Sequence, residues 1–353
     1  AQAAAGWTAA QLGQWRQGAR AASDDGLPVP DMAPLDQAEA GGNPDAVNQA
    51  ASELAVHLAR QHLLGHVAPA RRGSWHIMDS DAAGDLPARL DAALAANGLE
   101  AFFSGLAPTH PDYAALRRAL AVEGDAARRA TIARNMERWR WMPQSLGANH
   151  ILVNAASFEA RLWRGGAEAG RWAVIVGKPS TPTPVFSAMV RGVIINPWWS
   201  VPASIVREKR GVFPASQGYV RRGGQVQQRP GPNNALGVVK LDMPNPYSVY
   251  LHDTPSKHLF ARAVRAFSHG CVRVNDAPGL AAALLQPGTA RSRIDAIIAT
   301  RRTTTIPLEA PLPVYIAYFT AEPDRHGQLV VHPDVYGRDG GLVAAAGGRL
   351  CGV

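Results

Sequence analysis

Cysteine is nearly absent from this chain: its 353 residues hold only Cys271 and Cys351. Two thiols build neither a disulfide framework nor a four-cysteine zinc site. Acidic side chains are also in deficit, 28 Asp and Glu against 36 Lys and Arg, which leaves a formal charge of +8. That balance suits a polyanionic or carboxylate-rich partner. Nucleic acid is not expected, because the arginines are scattered and no aromatics interleave along a basic stripe. No apolar run reaches the roughly eighteen residues that a membrane span needs, so no transmembrane segment is expected. Glycine pairs occur without the strand-to-helix setting of a phosphate-binding loop, and neither a nucleotide, a metal nor another cofactor is expected. An initiator Met and a basic-then-apolar leader are missing too. The opening Ala1-Gln2-Ala3-Ala4-Ala5-Gly6-Trp7 is of the kind that signal-peptide cleavage leaves, which gives the expectation of an exported protein.

What is present divides near residue 145. Residues 1–42 read as an N-terminal arm, rich in Ala, Gly, Asp and Pro, with a short helix over Thr8 to Gln17 and a loose stretch after it. From Asn43 the pattern is helical, with Asn43 as cap, Pro44 in the first turn, Leu54, Leu58 and Leu63 near one face, and Gly65 as the stop. Further helices are expected from Pro87 to Asn97, after Thr109 as a cap with Tyr113, Leu116 and Leu120 buried, and from Asp125 with Ile132, Met136 and Trp139 inward. His57, His62 and His66 fall on or near the first of these, but no carboxylate or cysteine completes a metal set. Residues 43–145 thus read as a helical domain.

From residue 146 to 353 the period becomes alternating. Ile151 to Asn154, Phe158 to Trp163, Trp172 to Val176, Val193 to Ile195, Ser248 to Leu251, Val272 to Val274 and Val314 to Phe319 read as strands. Helices are expected at Pro278 to Gln286 and Ser292 to Thr300. The fold class is therefore α+β, a helical domain followed by a mostly β domain with a few helices.

One tetrad carries chemistry: Ser268-His269-Gly270-Cys271, continued by Val272-Arg273, with His252 nineteen positions before the cysteine. A thiol attacks as thiolate, and a nearby imidazole with flanking main-chain N–H groups both activates it and holds an oxyanion. Cys271 reads as nucleophile and His252 as base. Gly270 and Cys271 offer the N–H groups. Arg273 suits a substrate carboxylate, with a surface ion pair as the alternative. Alternation puts Tyr250 on the face of His252, lining a cleft or packing in the core, and puts His269 on the side of Cys271 as an orienting group or a packing one. Trp198 and Trp199 either stack on sugar or pack. A papain-like protease would place its cysteine before its histidine, the reverse of this order.

These residues resemble the L,D-transpeptidases with a YkuD-type catalytic domain, which remodel bacterial peptidoglycan. The match rests on His252, fifteen intervening residues, and Ser268-His269-Gly270-Cys271-Val272-Arg273. Supporting segments are Met136 to Trp141, Val176 to Pro179, Thr183 to Ser187, Asn196 to Pro202, Pro230 to Gly237, Tyr250 to Pro255 and Asp334 to Asp339. Together with residues 45–122, which are similar to a scaffold domain, they resemble the large periplasmic branch of proteobacteria. Two departures stand out: there is no peptidoglycan-binding module between the two domains, and the lid, about 203–229, is short. Gly223-Gly224 is expected to let that lid move.

The resemblance implies a thioester acyl-enzyme on Cys271, a periplasmic location, peptidoglycan stem peptides and glycan strands as partners, and acylation by carbapenems. It implies that the main-chain carbonyl of Asp253 orients His252, the Asp253 side chain being the alternative, and that Ser268 lies with the substrate-binding residues. Either two diaminopimelate residues are joined, or L-Ala is joined to diaminopimelate. Hydrolysis, anchoring of a protein, and a non-catalytic wall-binding role are the remaining alternatives.

Overall fold

A computed structural model describes residues 6–77, 84–285 and 291–340; Cys351 lies outside them. Two compact units emerge. One takes the described residues up to Gly73, those between Ile77 and Leu146, and those from Phe319 onward; the other takes Ser74–His76 and Gly147–Tyr318. The first is helical and the second is β-rich with a few helices, as the alternation of sequence periods requires.

In the helical unit the caps dictate the boundaries. Thr8 and Gln11 form a reciprocal capping box ahead of helix Ala9–Arg20. Asn43 accepts from the N–H groups of Asp45 and Ala46 at the start of Pro44–Leu64, and the helix stops at Gly65. Asp125 caps Ala126–Arg140 through the Arg128 N–H. The arm before residue 43 is not loose. Its Ala33–Ala40 helix buries Leu35, and Leu27 joins Trp7 and Trp15 in the same core cluster. Its run of Ala and Gly, broken by Pro and Asp, hid the few large apolar residues that anchor it. His110, and not Thr109, caps Pro111–Val122, because the His110 ring accepts from the Asp112 N–H at 3.2 Å while Thr109 turns to the Gln144 carbonyl. His62 is buried against Phe103 and His66 pairs with Glu137 at 2.9 Å, so these histidines pack into the helices.

The described residues beyond Tyr318 pack with these helices, although the alternating pattern extended the β domain to the C-terminus. Phe319 stacks on Trp139 with ring centroids 4.6 Å apart. Asn135 donates to Thr320 Oγ1 at 2.9 Å and accepts from the Thr320 N–H at 2.8 Å, all of it buried. Asn135→Ala strands that N–H without an acceptor, and a loss of about 1–3 kcal/mol is expected in urea denaturation. A loss below about 0.5 kcal/mol, within the range of a neutral surface change, would show that water replaces the bonds.

In the β-rich unit the strands form a closed ring. Val185–Ile195, Thr304–Ala317, His150–Asn154, Glu159–Arg164, Ala167–Gly177, Val272–Val274, Leu251–His252 and Val239–Asp242 follow one another, and Val239–Asp242 pairs back onto Val185–Ile195. Inward-facing Val239, Leu241, Leu251, Val272 and Val274 are buried, so the alternate residues of these strands lie on the other face. Asn196, with φ +52°, donates its amide to the carbonyls of Ile297, Ile298 and Arg302, tying the helix Arg291–Ala299 to this ring. The strand expected over Ser248 to Leu251 shrinks to Leu251–His252 because Asn245 captures the chain before it: its amide donates to the Met243 and Val249 carbonyls at 2.7 and 2.8 Å.

The segment expected as a lid is a folded piece. Trp199–Ser200, Gln225–Gln228 and Tyr219–Arg222 form a three-stranded sheet beside a short helix, Ala203–Glu208. Val201, Tyr219 and Val226 form its own small core with Trp199, Ile205, Val206 and Phe213 around them. Gly223 and Gly224, at φ +54° and +76°, make the two-residue hairpin turn that a twisted ladder favours.

Candidate active site

The turn that carries Cys271 is held from three sides. Gly270 has φ +116°, and an added Cβ there would meet nothing nearer than 4.0 Å, so backbone conformation and not space demands glycine. Ser268 Oγ accepts from the Gly270 N–H at 3.0 Å and donates to the Cys271 carbonyl at 2.6 Å. Buried Thr183 donates to the Gly270 carbonyl at 2.8 Å and accepts from the Gly177 N–H at 2.8 Å. The Ser268 carbonyl receives the Lys178 N–H at 2.9 Å and Thr181 Oγ1 at 3.2 Å. Nothing in the spacing of Thr181 and Thr183 foretells this bracing, since both bonds cross 87 positions.

Strand register then sets the functional side chains in rows. His252 is the partner of Lys240 on one side and of Arg273 on the other. One step back on the same face, Tyr250 and Cys271 precede them, because the intervening Leu251 and Val272 are themselves partners and point into the core. Sequence reading found all of these but Lys240. Its ammonium lies over the Tyr250 ring, 3.6 Å from the centroid. The signal was the alternation Val239-Lys240-Leu241, which reads equally as an exposed strand face.

The protonation states follow from burial. His252 is buried and Nδ1 lies 2.5 Å from the Asp253 carbonyl, which only accepts, so Nδ1 carries the hydrogen and Nε2 keeps its lone pair. Burial, with Arg273 and Lys240 adding to it, pulls the imidazole down to about 3. Burial also pushes the Cys271 thiol up, opposed by the Tyr250 main-chain N–H, Lys240 and Arg273. Both groups rest neutral at pH 7. The thiol touches the Ser248 carbonyl at 3.8 Å and makes no hydrogen bond to His252, its diagonal neighbour on the paired strand.

The remaining candidates separate. The Asp253 side chain accepts from the Val238 N–H at 2.9 Å and pairs with Lys257, which turns it away from the imidazole; Gly237 makes room for it, since a Cβ there would fall 2.3 Å from Asp253 Oδ2. His269 pairs with Glu208 of the short helix at 2.8 Å rather than with the thiol. Trp199 packs in the small sheet, its ring 6.4 Å from that of Tyr219. The Gly270 N–H, expected to hold an oxyanion, is engaged by Ser268.

Residues 148–306 match the L,D-transpeptidase catalytic domain family. The chain carries an L,D-transpeptidase catalytic domain. Residues 4–120 match the Scaffold domain family. A curated Haemophilus influenzae protein provisionally named an L,D-transpeptidase is 33% identical over 237 residues, 59% of this chain. The chain spans about half the length of that relative, 48%. Among solved structures, an Enterococcus faecium L,D-transpeptidase is 14% identical with a TM-score of 0.26, covering 50% of this chain and 52% of that one. A Mycobacterium smegmatis L,D-transpeptidase is 12% identical with a TM-score of 0.27, covering 48% and 58%. Likenesses that slight carry no argument. The transpeptidase domain match, by contrast, covers every side chain of the rows above, from Lys240 to Arg273.

Proposed function

We propose that this protein is a peptidoglycan L,D-transpeptidase that works through a thioester on Cys271. The observation that carries the reading is the face on which Cys271, Tyr250, His252 and Arg273 lie together, with the imidazole buried, neutral and fixed by the Asp253 carbonyl. His252 Nε2 takes the thiol proton as sulfur attacks the diaminopimelate carbonyl of a donor stem. The S–C bond forms, the C–N bond to the terminal D-residue breaks, and the imidazolium proton leaves with the departing amine. An acceptor amine then attacks the thioester, the S–C bond breaks, and the proton it sheds returns by way of His252 to sulfur.

Donors for the oxyanion are the Cys271 and Tyr250 N–H groups, since that of Gly270 is occupied; the Tyr250 N–H already acts on the sulfur. Arg273 is half-buried and makes no ion pair among the described residues, so its guanidinium is available to a diaminopimelate carboxylate. Ser268 and Gly270 shape the turn, and His269 and Trp199 belong with the small folded lid that borders the thiol. Among the described residues no helix is long and apolar enough to cross a membrane. A periplasmic location fits the anionic polymer that this chemistry requires.

Incubation with purified disaccharide-tetrapeptide and, separately, disaccharide-tripeptide tests the reading by mass spectrometry. Dimers that have lost one D-residue are expected from the tetrapeptide. Dimers whose donor was cut after L-Ala would move the attack to the L-Ala carbonyl. Shortened monomers alone would make the protein a hydrolase, and unchanged substrate would defeat the proposal.

A further inference from the structure

Lys240 has no part in the chemistry described so far, yet its placement is as constrained as that of His252. It is half-buried, lies on the strand that closes the ring, and faces outward between buried Val239 and Leu241. Register makes it the direct neighbour of His252 on the side opposite Arg273. No carboxylate lies within ion-pair distance of it among the described residues. What it touches is the face of the Tyr250 ring, 3.6 Å away. Burial draws its ammonium below the usual lysine range while the thiol and Asp242 favour the charge. A desolvated, unpaired cation on a cleft face is an arrangement that an anionic ligand completes.

Two cations therefore flank the reacting row, Arg273 on one side and Lys240 on the other. A stem peptide cut at the diaminopimelate carbonyl has the same pattern: one carboxylate on the diaminopimelate side chain, another at the end of the residue that departs. Strands lie about 4.8 Å apart, so Lys240 and Arg273 start from backbones roughly 10 Å apart, and both have long side chains. That span admits a dipeptide unit with the scissile bond between the two charges.

We infer that Lys240 is a specificity-determining residue that binds the terminal carboxylate of the departing residue, opposite the carboxylate held by Arg273. The inference rests on the transpeptidase reading for the identity of the donor. It assigns selection of stems with a free C-terminus to a lysine on the ring-closing strand. The cation is held over Tyr250 until the ligand arrives, which keeps it pointed at the cleft and limits the rotamer entropy lost on binding.

Binding and turnover are measured separately, so that failure of this inference and failure of the transpeptidase reading give different results. In the Cys271→Ala background, which cannot react, calorimetry compares a tetrapeptide stem bearing a free terminal carboxylate with the same stem amidated at that carboxylate. The free stem is expected to bind at least about tenfold tighter, as loss of a charge-assisted hydrogen bond commonly costs that much. Adding Lys240→Met should abolish the difference, and Lys240→Arg should retain most of it. A stem amidated instead on its diaminopimelate side chain keeps its terminal carboxylate, so its binding should still weaken at least about tenfold on Lys240→Met. In the reactive protein the same change should raise KM for the free stem while leaving kcat within a few fold. If the ratio of free to amidated affinities stays the same in Lys240→Met, or if the parent shows no preference, the inference is overturned, whether or not dimers form. A lysine that merely props Tyr250 would weaken both stems equally, and that outcome also overturns it.

Discussion

Replacing Cys271 with alanine is expected to lower cross-linked product by at least about 10⁴-fold, down to the background set by binding alone. No nearby group can take over. The Ser268 hydroxyl, closest in the chain, is buried and spends its hydrogen on the Cys271 carbonyl at 2.6 Å. Cys271→Ser should fail almost as completely, because an imidazole held down to about 3 is too weak a base to activate an alcohol, whereas a thiol needs far less help. The fold should survive, since the side chain is partly exposed and meets little beyond the Ser248 carbonyl at 3.8 Å and the Tyr250 main-chain N–H. Intact-mass measurement after exposure to a carbapenem supplies the check: a single adduct on the parent protein and none on either variant. Turnover by Cys271→Ala within tenfold of the parent would remove the thioester from the mechanism.

Acid should destabilise the β-rich unit well before its carboxylates titrate. The ordinary histidine value of 6.5 applies to the unfolded chain, while burial holds His252 down to about 3 and His150 down to about 4. Below pH 6.5 the unfolded chain binds these protons and the folded one does not. The stabilisation is therefore complete above 6.5 and is lost as pH falls toward the folded values. By pH 5 each group should cost about 2 kcal/mol, and by pH 3 His252 alone should cost on the order of 4 kcal/mol. Urea midpoints at pH 7.5 and pH 5 read this directly, with His252→Gln expected to reduce the slope. Equal midpoints at the two pH values would mean that His252 is solvated enough to charge in the folded protein. The same low value removes any acid limb due to His252 from the rate profile above about pH 4.

The residues that speak through local rules were readable from sequence. Asn43 with Pro44, Asp125 and Gly65 fix helix ends within a turn of chain, and the tetrad ending at Cys271 marks a turn at Gly270, where φ is positive. Residues 21–42 misled because a stretch of Ala, Gly, Pro and Asp shows no apolar stripe, yet Leu27 and Leu35, with Ala22 and Met32, dock it. Ser248 to Leu251 misled because its β-prone side chains lose to one Asn245 amide. His110 took the capping role from Thr109 because the helix starts one residue later than a hydroxyl cap would place it. Lys240 and Thr183 were silent for a different reason. Lys240 acquires its position from a strand pairing and Thr183 from hydrogen bonds to Gly177 and Gly270, and alternation along one strand does not reveal what lies beside it.

The strand Val239–Asp242 bonds to Val185–Ile195 on one edge and to Leu251–His252 on the other. It is the clasp of the ring, and the base sits on the ladder that the clasp secures. The ring it closes also needs Val314 beside Ile151, 163 positions apart, and a contact that distant forms only after much loop entropy has been spent. A chain whose ring is not yet closed thus leaves the Cys271 thiol without His252 in register, and on the proposed reading cross-linking power arrives only when the ring is whole. For the proposed transpeptidase, assembly and arming become one event.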